Sequence, residues 1–98
     1  MKLSEKIYVI RKAERLSQRE FCKILNLSYS TLGKYEIQCY EPSGLSLLKI
    51  TQHPQFEKYT LWLMTDKIVP EYGQIAPFLR YYKGKEIKSY PLLKKEIE

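Results

Sequence analysis

The chain has 98 residues, 44% of them apolar, which is enough for one compact core and too few for two domains of ordinary size. Its 17 Lys and Arg against 11 Asp and Glu give a formal charge of +6, which favours acidic partners, with nucleic acid first among them. The opening MKLSEKIYVIRKAE is broken by charge every few residues and no apolar run approaches a membrane span. A soluble, cytoplasmic protein without membrane attachment is expected, its Cys22 and Cys39 reduced, and Cys22 reads as a small core residue.

In chain order, Ile7, Ile10, Arg11 and Glu14 recur at helical spacing after Leu3 and predict a first amphipathic helix over residues 4–16, with Ser4 as its cap. Ser17-Gln18-Arg19-Glu20 is a capping box: the serine hydroxyl can accept from the Glu20 amide while the Glu20 carboxylate reaches back to the Ser17 amide. The second helix that starts there turns Phe21, Cys22, Ile24 and Leu25 inward. It stops near Asn26, a residue that tolerates the left-handed conformation. Ser28 caps a third helix in which Leu32 and Tyr35 share the buried face, while Tyr29, Ser30, Gly33 and Lys34 lie on other faces.

After a turn at Glu41-Pro42-Ser43-Gly44, the residues Leu45, Leu47, Leu48 and Ile50 predict a fourth helix, closed before Pro54 because the pre-proline residue disfavours helix. A fifth is predicted over residues 55–64, anchored by Phe56, Tyr59, Leu61, Trp62 and Leu63. Beyond it Pro70, Gly73, Pro77, Gly84 and Pro91 punctuate short tyrosine-rich runs, so the expected division is a helical domain at 1–65 and a distinct tail at 66–98. Two runs flanking Lys83-Gly84 suggest a β-hairpin in that tail.

Two capped helices joined by a short turn cross steeply and project the second outward. A helix fits the major groove and its first turns reach base edges, which makes Tyr29, Ser30, Gly33 and Lys34 the candidate readers. Lys34 suits guanine acceptors, Tyr29 offers an aromatic edge for a thymine methyl, and Gly33 either allows close approach of the backbone or is an indifferent exposed position. Gln18, at the start of the preceding helix, is placed to hold a phosphate, with Arg19 and Thr31 as secondary phosphate contacts.

Arg11, Leu16-Ser17-Gln18, Phe21, Asn26, Ser28, Leu32, Tyr35-Glu36 and Pro42 match the lambda-repressor-like, Cro/C1-type helix-turn-helix family. Asn26 replaces the usual glycine and Cys22 the usual alanine, both physically conservative changes. The resemblance implies an all-α, five-helix DNA-binding domain and a structural ion pair between Arg11 and Glu36. Ser4-Glu5-Lys6-Ile7, Tyr29, Tyr35-Glu36, Pro54 to Trp62 and Gly73 to Pro77 further resemble the short immunity repressors, or C repressors, of peduovirus-type temperate phages. That likeness implies a dimer that silences an early lytic promoter in the bacterial host and operators built as direct repeats.

A homodimer on a double-stranded operator is also expected physically, because one recognition helix reaches few base pairs. Ile75, Phe78, Leu79, Tyr81 and Tyr82 are the interface candidates, whereas Tyr35 and Tyr59 fall at core spacing. No enzymatic role is expected. The single histidine, His53, stands beside Pro54 without a nucleophile, and the two cysteines have no zinc-like spacing, so neither metal, cofactor nor small-molecule ligand is called for. The alternative reading is an antitoxin-type or other Cro/C1-type regulator whose tail holds a partner protein.

Overall fold

Helix α1, Leu3–Ala13, opens the computed structural model, which describes residues 1–77 of the chain. It starts earlier than the serine pattern suggests. Glu5 accepts the Lys2 amide at 2.8 Å, while Ser4, expected as the cap, sits inside the first turn, fully buried, its hydroxyl without a hydrogen-bond partner among the described residues. Ile7 and Ile10 face the core.

The other helices are α2, Gln18–Leu25, α3, Tyr29–Glu36, α4, Gly44–Thr51, and α5, Thr60–Thr65. Serine caps three of them: Ser17 Oγ accepts the Glu20 amide at 3.0 Å, Ser28 Oγ the Thr31 amide at 3.1 Å, and Ser43 Oγ the Ser46 amide at 3.1 Å. No strand is formed among the described residues, which are all-α with one isolated bridge between Val69 and Gln74.

The first three helices end alike, each through a residue with positive φ: Arg15 at 58°, Asn26 at 55° and Gln38 at 63°. In each case the next amide reaches back five residues, Leu16 to the Arg11 carbonyl at 3.1 Å, Leu27 to Cys22 at 2.9 Å and Cys39 to Lys34 at 2.9 Å. Only Asn26 is a residue suited to this conformation. Arg15 and Gln38 each carry a left-handed cost of about 1 kcal/mol, offset by the carbonyls their turns satisfy.

The expected fifth helix over 55–64 is shorter in α form than its apolar pattern. The His53 carbonyl accepts both the Phe56 and Glu57 amides at 2.9 Å, and His53 Nδ1 accepts the Gln55 amide at 3.0 Å, which tightens this stretch into a turn. A 3-10 turn, Glu57–Tyr59, then leads into α5.

Phe21, Leu25, Leu32, Ile50, Phe56, Tyr59, Trp62 and Leu63 complete the core with the α1 isoleucines, and Phe21 meets Phe56 edge to face at 5.3 Å between centroids. The segment after α5 returns to this core. Ile75 donates its amide to the Lys58 carbonyl at 2.9 Å, Gln74 Oε1 accepts the Leu61 amide at 2.9 Å, and Ala76 and Pro77 are buried. Ile75 is partly buried against the core, while Phe78, Leu79, Tyr81, Tyr82 and the suggested hairpin lie outside the described residues.

Lys6 ties the two ends of this unit together. It is 3% exposed, and its ammonium donates to the Trp62 carbonyl at 2.9 Å and the Leu63 carbonyl at 3.1 Å and pairs with Asp66. A cation is thereby placed among the open carbonyls at the end of α5, where the helix dipole favours positive charge.

Candidate nucleic-acid interface

The pair α2 and α3 is built by its own caps. Ser17 and Glu20 complete the capping box, with the Glu20 carboxylate accepting the Ser17 amide at 2.8 Å. That backbone donor, followed by the Ser17 hydroxyl contact, holds the Glu20 carboxyl below the usual carboxylate range. At the other end Asn26 turns the chain, and the Lys49 ammonium of α4 donates to its carbonyl at 2.7 Å, so the turn is fixed from outside as well as by its own backbone.

Helix α3 has eight residues, too few to persist alone, and its neighbours anchor both ends. Near its start the Cys22 thiol donates to the Ser28 carbonyl at 3.7 Å. Desolvation, followed by the charge of Glu36, pushes this thiol up, leaving it a neutral packing group. Near its end the Tyr35 hydroxyl lies 2.8 Å from Ser46 Oγ, and the Glu36 carboxylate meets the Arg11 guanidinium at 2.6 and 3.0 Å in a bidentate pair. The two partners' side chains are 10% and 8% exposed, and Arg11 also donates to the Leu16 carbonyl at 2.8 Å.

These ties leave the solvent face of α3 clear. Tyr29 is 48% exposed, Ser30 and Lys34 are exposed, and Gly33 has nothing within 4 Å of where a β-carbon would stand. The four candidate readers therefore share one open surface opposite Leu32 and Tyr35. Ser30 Oγ lies 3.3 Å from Ser28 Oγ, and the Lys34 ammonium lies 5.4 Å from the Tyr40 ring centroid. Thr31 is half-buried, its amide taken by the cap.

Two groups expected at phosphate are already engaged within the protein. Gln18 is half-buried and its Nε2 donates to Glu36 at 2.8 Å, joining the start of α2 to the end of α3. Arg19 is exposed, with its guanidinium 4.5 Å from the Tyr29 ring centroid. Tyr40 and Lys49 escaped the sequence reading. Tyr40 falls after α3 in a stretch without periodicity, and nothing in the sequence couples Lys49 to a turn 23 residues earlier.

Among the described residues no cluster of His, Cys, Asp and Glu could hold a metal ion, and no helix is long and apolar enough to cross a membrane. No protein-family model matches the chain.

The fold and this surface define a small helical protein in which a capped, internally braced helix is presented outward by a three-residue turn. Over 87 residues, 89% of its own length, the chain is 44% identical to Repressor protein C of Escherichia phage P2, of which it covers 88%. It belongs to the family of phage C repressors.

Proposed function

We propose that the protein is a DNA-binding transcriptional repressor that maintains prophage immunity by blocking an early lytic promoter. The observation that carries the reading is the division of labour on α3. Leu32, Tyr35 and Glu36 bind it to the other helices, while Tyr29, Ser30, Gly33 and Lys34 face outward on its first two turns. Such a surface suits insertion in the major groove, where Lys34 can donate to guanine and Tyr29 can contact a thymine methyl. Kinship to a phage protein named as a repressor supports the same reading.

Arg19, Gln18 and Thr31 lie beside this face at the helix starts, where side-chain donors and the dipole suit phosphate. Gln18 spends one of its two amide N–H groups on Glu36 and keeps the other for this contact. We assign homodimer formation to the 66–98 segment, with Ile75, Phe78, Leu79, Tyr81 and Tyr82 as contacts, since one module reads too few base pairs to act alone.

The test is footprinting on the DNA flanking the protein's own gene, at two salt concentrations, with random duplex as competitor. Protection of paired short sites that survives the competitor is the expected result, and the arrangement of the pair shows whether the repeats are direct or inverted. Salt-sensitive protection of all DNA, or none, refutes the repressor reading.

A further inference from the structure

Tyr29 differs from the tyrosines that the core has absorbed. Tyr35 and Tyr59 are buried with their hydroxyls bonded to Ser46 and Glu14, whereas Tyr29 leaves about half its surface in solvent. It is the first residue of α3, where an aromatic side chain without a neighbour would exchange between rotamers. Across the turn stands Arg19, the second residue of α2, with its guanidinium carbon 4.5 Å from the centre of the Tyr29 ring. Arg19 makes no ion pair or hydrogen bond among the described residues, so its N–H donors are uncommitted. The separation of the two is set by the braced turn, through Asn26 in the left-handed conformation, the Leu27 amide on the Cys22 carbonyl and Lys49 on the Asn26 carbonyl.

We propose that Arg19 is a positioning residue for base reading: its guanidinium, stacked on Tyr29, holds the first side chain of α3 in place, and the two act on DNA as one composite contact. This rests on the DNA-reading function proposed above. A planar guanidinium can lie on an aromatic face and still direct its edge N–H groups outward, which an ammonium cannot do in the same way. The ring then supplies the apolar contact with a thymine methyl while the edge of the guanidinium meets the neighbouring phosphate or base. The consequence distinguishes this role from that of an ordinary phosphate contact, because removing Arg19 changes which sequence is preferred as well as how tightly DNA is held.

The experiment is affinity selection by the full chain from a pool of duplexes carrying a random window, followed by sequencing. It compares the wild type with Arg19→Lys, which keeps the charge but loses the plane, Arg19→Ala, and Tyr29→Leu, which removes the ring. Arg19→Lys is expected to flatten the base preference at the positions that Tyr29→Leu flattens, by about two- to fivefold, with a wild-type dependence on salt. A wild-type preference in Arg19→Lys, with Arg19→Ala weakening every duplex equally and lowering the salt slope by about one, overturns the inference and makes Arg19 a phosphate contact. Flattening at positions unrelated to Tyr29 overturns it as well. A wild-type pool with no enriched sequence overturns DNA reading itself, and the inference with it.

Discussion

Replacing Arg11 by methionine removes the cation that neutralises Glu36 while nearly filling the space of the side chain. The carboxylate then stays at the end of α3 with only the Gln18 amide as a partner, and the Leu16 carbonyl loses its donor. Both members of the pair are about nine-tenths buried, so the relevant comparison is a broken buried ion pair, which costs 3–5 kcal/mol, rather than an exposed one. The retained Gln18 bond places the expectation at the lower end, about 3 kcal/mol. For a domain of this size that lowers the melting temperature by roughly 12–24 °C. Urea unfolding followed by far-UV circular dichroism measures the change. The double variant Arg11→Met with Glu36→Leu, in which no charge is left stranded, should recover most of the loss. A single variant that loses less than about 1 kcal/mol would refute the reasoning, because the pair would then behave like a solvated surface bridge.

The other expectations concern the open face of α3 and the underside of the core. Gly33→Ala should stabilise the protein by up to about 1 kcal/mol in thermal unfolding, since the added carbon meets nothing. A loss of stability would refute this, since it would require a neighbour in contact with the added carbon. Lys34→Ala should lose discrimination between operator and random duplex in competition binding, with stability within about 0.5 kcal/mol of wild type. Equal loss on both DNAs would demote Lys34 to a phosphate contact. Burial pushes the Glu14 carboxyl up, but the Tyr59 hydroxyl, the Gln55 amide at 3.3 Å and the Lys58 ammonium at 3.2 Å together outweigh it and hold the group below the usual carboxylate range. A lowered folded value means that Glu14 contributes stability above its unfolded pKa and loses that contribution as pH falls through the folded one. Glu14→Gln should therefore be less stable than wild type at neutral pH, with the gap in urea midpoint closing below about pH 4, and a gap independent of pH would contradict the assignment.

What was legible in the sequence was chiefly what local chemistry decides. Ser17 with Glu20, and Ser28, announce helix starts through side chains that bond amides three residues away, and Asn26 announces an end because few other residues accept its φ of 55°. Arg15 and Gln38 adopt the same conformation with no such signature, since the demand for it comes from the carbonyls of the preceding turn and the packing beyond. Ser4 misled for a related reason: a serine before an apolar stripe reads as a cap, yet Glu5 reaches the Lys2 amide first and draws Ser4 into the helix. The candidate readers were found from register alone, because residues opposite Leu32 and Tyr35 must face outward. Gln18 on Glu36 and Arg19 on Tyr29 join residues 18 and 10 positions apart, and no short-range pattern encodes either pair.

On the DNA-binding reading proposed above, the bracing of α3 lets recognition vary without loss of the fold. Every strong tie of this helix leaves from its buried side or its ends: Ser28 to the Thr31 amide, Leu32 into the core, Tyr35 to Ser46, and Glu36 to Arg11 and Gln18. None of them uses Ser30, Gly33 or Lys34 as a side chain needed for packing. Substitution there should move sequence preference with little change in stability, as surface changes usually do. Tyr29 is the exception, because its ring is coupled through Arg19 to α2, so a change at either position alters the pair. Gln18 sits at the opposite boundary. It is the first residue of α2 and its side chain bonds Glu36, so its replacement should weaken both the brace and any phosphate contact.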